Sequence, residues 1–285
     1  MSAPRLITGL SEIASHYDAL ICDVWGVIHD GHTAHPKAAE ALKNFRANYG
    51  PVVLLTNAPR LPALVAAQCA EYGVPPGCYD AIVSSGGAAH DELARRAAKE
   101  TVPLYYIGPD RDLVVLDGLD LALTGIDEAA LVFCTGLVDD LNETPDDYAG
   151  KLAAMRKKNL VMLCANPDLV VHRGPQLCYC AGALAKAYEA LGGQAIYYGK
   201  PHLPVYDAAF AKVHDVLGRP AKKPLAVGDG LFTDILGANR ARLDALFIAD
   251  GVHGEEVEPY TAAHLSRLFE KSGVTALAAT RVLAW

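Results

Sequence analysis

Polar side chains end several short apolar runs of this sequence, at positions where they could act together on one ligand. Asp23 follows the run 19–22, and Asp229 follows the run 224–228. In an open parallel sheet, ligands bind outside the carboxyl ends of the strands, so residues at those ends are the first candidates for a site. The candidates are Asp23, Thr56, Asn57, Lys200, Asp229 and Asp234.

These residue types suit a divalent cation together with a phosphate group. Carboxylate oxygens are hard ligands for Mg²⁺, which keeps several waters and shares oxygens with its substrate. Lys200 would balance the remaining charge, beside the hydroxyl of Thr56 and the amide of Asn57. No dinucleotide or Walker-type phosphate motif is present in GDG (228–230) or YYGKP (197–201). The sequence therefore predicts a site for Mg²⁺ and a small phosphorylated ligand.

The apolar runs alternate with helical patterns. Between the first two runs, Ala38, Leu42 and Phe45 recur at helical spacing. Runs that are apolar on both faces indicate a parallel sheet covered by helices on each side, so the expected fold class is α/β. The runs assigned to this sheet are 19–23, 51–57, 80–87, 195–200, 224–230 and 245–251.

The middle of the chain contains a second set of apolar runs. They cover 103–108, 130–136 and 159–168, and Thr144 and Pro145 are typical of a helix start between the last two. We therefore expect an α/β domain at 88–183, inserted into a core domain formed by 1–87 and 184–285.

Composition restricts the class of protein. The chain has 285 residues, 52% of them hydrophobic and 20% charged, which excludes intrinsic disorder. No apolar run approaches the roughly 20 residues of a membrane helix, and the first residues do not resemble a signal peptide, so we expect a soluble cytoplasmic protein without membrane partners. A net charge of −8 argues against nucleic acid, and the seven cysteines are expected to be reduced. A homo-oligomer is compatible with the sequence, which leaves the oligomeric state open.

Four segments resemble, in order, the four motifs of the haloacid dehalogenase (HAD) superfamily of aspartate-nucleophile phosphotransferases. The resemblance implies a Rossmann-like parallel-sheet core with an inserted α/β cap, as in the subfamily IIA hydrolases, which include N-acetylglucosamine-phosphate and para-nitrophenyl-phosphate phosphatases. The segments are ICDVWGV (21–27), LLTNAPR (54–60), YYGKP (197–201) and AVGDGLFTDILGANRA (226–241).

The resemblance also implies roles for individual residues. Asp23 would be the nucleophile that forms an aspartyl phosphate, and Thr56 and Lys200 would stabilise the transferring phosphoryl group. The metal site would use Asp23, the backbone carbonyl of Trp25, Asp229 and Asp234. In the cap, CANPDLVVHRG (164–174) resembles the substrate loop. The residues expected to bind the substrate are Asn57, Asn166, Asp168 and His172, with Arg173 as a further candidate.

Trp25 departs from the pattern of the phosphatases in this superfamily, which have a second aspartate there as general acid and base. An indole cannot transfer a proton at neutral pH, so about 10²–10⁴-fold of catalysis would be missing unless another group supplies it. The alternatives are a phosphatase for good leaving groups, one that borrows an acid near His29, Asp30 and His32, a phosphoryl-ligand binder without turnover, and a dehalogenase or phosphonatase-like hydrolase.

Simpler interpretations exist for the same residues. Asp23 or Asp234 could cap a helix, and Trp25 could fill the core. His29, His32 and His35 are close enough in sequence to suggest a metal site, but zinc would require a defined tetrahedral set of ligands. Contacts within the loop are therefore favoured over metal binding for these histidines. The residues predict a site for Mg²⁺ and phosphate, and the resemblance implies a Mg²⁺-dependent hydrolase, a phosphatase of small phosphate esters such as sugar phosphates, nucleotides or aryl and acyl phosphates.

Overall fold

Apolar runs form the strands of the protein, and the segments between them form helices. The computed structural model describes residues 3–173, 176–254 and 256–285, with the backbone alone at 172 and 173. The strands are β1 (Arg5–Leu6), β2 (Ala19–Cys22), β3 (Val52–Thr56), β4 (Ala81–Ser84), β5 (Val102–Ile107), β6 (Leu121–Leu123), β7 (Leu131–Cys134), β8 (Val161–Cys164), β9 (Val170–Arg173), β10 (Gln176–Tyr179), β11 (Gln194–Tyr197), β12 (Pro224–Gly228), β13 (Asp244–Ile248) and β14 (Ala278–Thr280). The α-helices are α1 (Pro36–Asn48), α2 (Pro62–Glu71), α3 (Ser85–Ala97), α4 (Ala149–Lys157), α5 (Ala181–Ala190), α6 (Leu203–Leu217), α7 (Leu236–Arg240) and α8 (Ala262–Ser272).

The first of two structural units contains a seven-stranded sheet in the order β1-β14-β13-β12-β2-β3-β4. Strand β2 lies between β12 and β3, and both pairings are parallel. Every residue of β2 and β3 is buried, as expected for strands covered on both faces. The carboxyl ends of three neighbouring strands therefore lie side by side, and the predicted α/β class with a Rossmann-like core is confirmed.

Asp18 joins the opposite, amino ends of β2 and β12. Its carboxylate accepts backbone N–H bonds from Lys222 and Lys223, both at 2.9 Å, and a bond from Arg219 Nη1 at 2.9 Å. Burial by itself would raise the pKa of Asp18, but these donors outweigh it and lower the pKa below its ordinary value. The ionised carboxylate therefore stabilises the register of the two strands whose other ends bear Asp23 and Asp229.

We expect Asp18→Ala to lower the free energy of unfolding by about 1–3 kcal/mol at neutral pH, because bonds to a charged acceptor are lost. A lowered folded-state pKa gives stability that is present above the unfolded value of about 4 and is lost as pH falls through the folded value. The difference from wild type should therefore shrink below about pH 4. Urea denaturation from pH 7 to pH 3 measures it, and the exposed Asp215→Ala is the matched control. An equal difference at every pH would contradict an ionic role.

The second unit spans 57–62 and 84–199 and contains a separate five-stranded sheet. Its strand order is β11-β8-β7-β5-β6, and all pairs are parallel. Strands β9 and β10, which lie between β8 and β11 in the sequence, form a separate antiparallel hairpin. The predicted helix start at Thr144 is confirmed: a 3₁₀ turn, Pro145–Tyr148, begins there and leads directly into α4. The Thr144 N–H donates to Asp147 Oδ2 at 2.8 Å within a capping box. Tyr148, Met155 and Tyr188 lie in the buried core of this unit.

The predicted boundaries of the inserted domain differ from the structural division. The segments 57–62, 84–87 and 184–199, which the prediction gave to the core domain, belong to the second unit. The reason is that β11 pairs with β8, with Ile196 opposite Leu163, and that Tyr188 of α5 donates to the carbonyl of Leu160 at 2.6 Å. The run 195–200 is therefore a strand of the second sheet, and its assignment to the first sheet was wrong.

In the part of the chain that the structure describes, no helix combines the length and apolar character needed to cross a membrane.

Candidate active site

Two neighbouring strands bring Asp23 and Asp229 together. Asp23 follows β2 and Asp229 follows β12, and the two strands are paired in parallel along their length. The backbone N–H of Asp23 continues this ladder by donating to the carbonyl of Val227 at 2.8 Å. The acidic side chains predicted from two distant segments therefore meet at one edge of the sheet, as the strand-end rule requires.

Asp234 reaches the same place from a single π-helical turn, Leu231–Ile235, between β12 and α7. π-Helical turns are rare in proteins, and many of those that exist lie at functional sites. The Asp234 carboxylate accepts the N–H of Gly230 at 3.1 Å through Oδ2. A Cβ atom at Gly228 would lie 2.3 Å from its Cγ, so only glycine allows this close approach.

Lys200 lies among the carboxylates. Its ammonium donates to Oδ1 of Asp23 at 2.5 Å and to Oδ1 of Asp234 at 2.7 Å. Only 3% of Lys200 is exposed, so both ion pairs are shielded from water. Burying the ammonium lowers its pKa, but Asp23 and Asp234 outweigh this effect and raise the pKa above its ordinary value. Lys200 is therefore charged at neutral pH.

Three carboxylates face this one ammonium. Burial, and next the charge of Asp234, raises the pKa of Asp23 well above its ordinary value and the pKa of Asp229 to about 6. Lys200 opposes both shifts. The described side chains of the cluster thus leave a deficit of positive charge, which a divalent cation would remove.

The donor set fits Mg²⁺. Asp23, Asp229 and Asp234 are buried and each offers one oxygen, with these oxygens all within 4.8 Å of one another, and Mg²⁺ prefers such hard ligands. Glycines surround Asp229 closely: a Cβ would lie 2.3 Å from Oδ2 at Gly26 and 2.1 Å from it at Gly251. Gly26 directly follows Trp25 in the sequence. The use of the Trp25 carbonyl as a metal ligand stays a prediction.

Thr56 ends β3, the strand adjacent to β2. Its side chain lies in the same unit as the carboxylates and is buried to all but 8%. Leu54 is paired with Cys22, so the carboxyl ends of β3 and β2 lie next to each other. Thr56 therefore occupies the strand end that the sequence predicted for it.

Trp25 lies on the surface of the first unit. Half of it, 49%, is exposed, so the alternative that it fills the core is wrong. A Cβ at Gly31 would lie 3.0 Å from the indole Nε1, which shows that the ring rests against Gly31. The loop is closed by Gly26 N–H donating to the carbonyl of His29 at 2.8 Å. An exposed indole therefore stands two residues from Asp23.

The residues considered as substitutes for the missing acid have contacts within their own loop. His29 is 4% exposed, its Nδ1 accepts the N–H of Gly31 at 3.1 Å, and its ring packs edge-on against Tyr72. Asp30 accepts the N–H groups of His32 and Thr33, at 2.9 and 2.8 Å. Among the described residues, the aspartate cluster is the only group of three or more potential metal ligands whose ligand atoms lie within 4.8 Å of one another, and it does not include these histidines.

The predicted substrate residues belong to the second unit. Asn57 donates through Nδ2 to Oδ1 of Asp168 at 2.8 Å, and Asn166 Oδ1 accepts the N–H of Asp168 at 3.0 Å. The structure thus joins Asn57, Asn166 and Asp168 in one network. The side chains of His172 and Arg173 lie outside the described residues, so their predicted role stays a prediction.

Two residues after β13 were missed from the sequence. The N–H of Val252 donates to Oδ2 of Asp229 at 2.8 Å, and His253 accepts the N–H of Leu231 at 3.3 Å. Their side chains gave no motif-like signal. The strand-end rule could have found them, because β13 is the neighbour of β12 and ends at the same edge of the sheet.

The sequence of this chain is similar to sequences of known hydrolases. A family model described as haloacid dehalogenase-like hydrolase matches residues 20–122, and one described as HAD-hydrolase-like matches 197–269. Ribonucleotide monophosphatase NagD of Escherichia coli (strain K12) is 27% identical over 237 residues, which cover 82% of this chain and 88% of that protein.

The fold of this chain is also similar to solved structures of hydrolases. A hydrolase of the haloacid dehalogenase-like family from Brucella suis 1330 is 40% identical, with a TM-score of 0.84 and coverage of 98% of this chain and 100% of that one. A p-nitrophenyl phosphatase from Archaeoglobus fulgidus shares the fold, with 20% identity, a TM-score of 0.72 and coverage of 93% and 96%. The resemblance to subfamily IIA and the assignment as a hydrolase are confirmed.

Proposed function

This chain belongs to the haloacid dehalogenase-like hydrolases, and we propose that it is a Mg²⁺-dependent phosphatase of small phosphate esters with Asp23 as nucleophile. The observation that supports the proposal is the buried cluster in which Lys200 joins Asp23 to Asp234 beside Asp229. Phosphoryl transfer depends mainly on positioning and on charge stabilisation, and this cluster supplies both.

Asp23 is held in place by two donors on one oxygen. Oδ1 accepts the ammonium of Lys200 at 2.5 Å and the backbone N–H of Val24 at 2.7 Å. These bonds restrict the rotation of the carboxylate before the substrate arrives. Because the carboxylate is already oriented in the folded protein, less entropy is lost when the transition state forms.

In the proposed reaction, a carboxylate oxygen of Asp23 attacks phosphorus, and the bond from phosphorus to the ester oxygen breaks. The ester oxygen leaves with the bonding electrons, and an aspartyl phosphate remains. Water then attacks phosphorus, and the bond from phosphorus to the Asp23 oxygen breaks, with its electrons returning to the carboxylate. Inorganic phosphate leaves, and the protons of the water stay on the phosphate or pass to solvent. Lys200 and Thr56 would stabilise the negative charge on the phosphoryl oxygens.

Asp23, Asp229, Asp234 and the carbonyl of Trp25 would hold Mg²⁺, which would supply positive charge beside the phosphoryl group. The N–H of Val252 and the close packing of Gly26 and Gly251 orient Asp229 for this role.

Trp25 favours substrates whose leaving group departs without protonation. The indole donates a hydrogen bond at most, and His29 and Asp30 are engaged in loop contacts. Aryl and acyl phosphates release a phenolate or a carboxylate, which are leaving groups of this kind, whereas the alkoxide released from a sugar phosphate needs an acid. The E. coli relative is named a ribonucleotide monophosphatase, which supports a small phosphorylated metabolite as the substrate class.

The test is hydrolysis of para-nitrophenyl phosphate by the purified chain with Mg²⁺ and with excess chelator. We expect release of nitrophenolate that requires Mg²⁺ and returns when the metal is restored. Equal rates with and without chelator would contradict metal dependence. Mg²⁺-dependent thermal stabilisation by inorganic phosphate without hydrolysis would instead favour a phosphoryl-ligand binder.

Trp25→Asp should change the leaving-group preference. We expect kcat/KM for an alkyl phosphate to rise relative to an aryl phosphate by about tenfold or more, since general acid catalysis is worth roughly 10²–10⁴-fold when the acid is well placed. Trp25→Asn is the matched control, because it removes the indole without adding an acid. If the alkyl-to-aryl ratio is the same in all three proteins, another group already protonates the leaving oxygen.

A further inference from the structure

His253 joins the two loops that contain or contact the carboxylates. Its side chain is 14% exposed, its Nε2 accepts the N–H of Leu231 at 3.3 Å, and its Nδ1 lies 3.1 Å from Oε1 of Glu256. The ring also packs edge-on against Phe232, with centroids 6.4 Å apart. His253 therefore has a defined position although it lies in a loop.

The hydrogen bond from Leu231 determines the tautomer of the ring. A nitrogen that accepts a bond from a backbone N–H has no proton of its own, so in the neutral imidazole the proton is on Nδ1. Nδ1 then donates to Glu256. The backbone N–H of Glu256 donates in turn to the carbonyl of His253 at 2.9 Å, which closes the turn around the histidine.

Each loop holds one carboxylate of the cluster. In the loop 251–253, the N–H of Val252 donates to Asp229 Oδ2 at 2.8 Å. In the loop 229–231, the N–H of Gly230 donates to Asp234 Oδ2 at 3.1 Å. Val252 directly precedes His253 in the sequence, and Gly230 directly precedes Leu231, the residue that donates to His253. A displacement of the histidine would therefore move both backbone donors.

We propose that His253 is a positioning residue for the cation site, where it holds the loop 251–253 against the loop 229–231 and so maintains Asp229 and Asp234 in metal-binding geometry. The inference rests on the proposed function, because it concerns affinity for Mg²⁺. His253 does not contact the cation or the substrate in this proposal. It acts through the backbone N–H groups of Val252 and Gly230.

The experiment measures Mg²⁺ binding without turnover. Mg²⁺ is titrated into the metal-free protein, and the shift of the thermal unfolding midpoint gives an apparent Kd. We expect His253→Ala to weaken binding about tenfold, the lower end of the effect of groups that orient metal ligands. His253→Gln should stay within about threefold of wild type, because its side-chain oxygen can accept the N–H of Leu231. His214→Ala, on the exposed face of α6, is the matched control and should bind as wild type.

A second measurement separates positioning from a structural effect. At saturating Mg²⁺ the kcat of His253→Ala for para-nitrophenyl phosphate should return to within about threefold of wild type, since only metal affinity is weakened. A kcat that stays low at saturation, or an apparent Kd for His253→Ala equal to that of wild type, would overturn the inference alone. Equal weakening in His253→Gln would refute the hydrogen bond as its basis. A wild-type protein with no saturable response to Mg²⁺ would overturn both this inference and the proposed metal site.

Discussion

Asp23→Asn should reduce the Mg²⁺-dependent hydrolysis of para-nitrophenyl phosphate by on the order of 10³-fold or more, since the amide cannot form the covalent intermediate. The substitution removes the nucleophilic oxygen but preserves the shape of the side chain. Its remaining oxygen can still accept the bonds that Lys200 and the N–H of Val24 now make. Loss of activity would therefore reflect the chemistry of the residue and not its packing.

Two measurements accompany this variant. Urea denaturation of the metal-free protein should give a free energy of unfolding close to that of wild type, because one of three mutually repelling carboxylates is removed while Lys200 keeps its partner Asp234. Asp207→Asn, an exposed aspartate on α6, is the matched control and should retain full activity. Activity of Asp23→Asn within tenfold of wild type would end the assignment of Asp23 as nucleophile.

Lys200→Met should impair both stability and turnover. The methionine has a similar length but no charge, so Asp23 and Asp234 would lose their shared counter-ion within a buried cluster. Removing one partner of a buried ion pair costs about 3–5 kcal/mol, because the remaining charge is uncompensated. The loss of a charged donor to the phosphoryl group should also lower kcat by about 10²–10³-fold.

Urea denaturation without metal measures the first effect, and steady-state kinetics with saturating Mg²⁺ measures the second. Lys212→Met is the matched control, because its exposed ion pair with Asp215 spans 3.7 Å and such pairs contribute about 0–1 kcal/mol. The double variant Lys200→Met with Asp23→Asn should recover part of the lost stability, since it removes one unpaired carboxylate. A stability of Lys200→Met equal to that of wild type would show that the buried ammonium does not balance the cluster.

The strand ends and their acidic residues could be predicted from the sequence. Asp23 and Asp229 each follow a run that is apolar on both faces, and a run of that kind indicates its burial through its own composition. The order of the four motifs along the chain also indicates the haloacid dehalogenase-like family. These features depend on local composition and spacing, which a single chain segment contains in full.

Lys200 contacts Asp23 and Asp234 although the strand before it lies in the other sheet. The run before it was assigned to the first sheet, but β11 pairs with β8 of the second sheet, and Lys200 begins the return of the chain to the first unit. Strand partners are chosen by long-range packing, which an apolar run does not specify. The same cause explains why the predicted boundary at 183 lies within α5 instead of after β11.

Tertiary structure alone decided the surroundings of the cluster. The exposure of Trp25, the backbone donor at Val252 and the hydrogen bond from Leu231 to His253 depend on loops that follow different strands of one sheet, β2, β12 and β13. The sequence by itself determined which residues end the strands and what chemistry their types allow. The structure decided which of them share one site, because contacts between residues as distant as 23, 200 and 253 are set by the order of strands in the sheet and not by any local pattern.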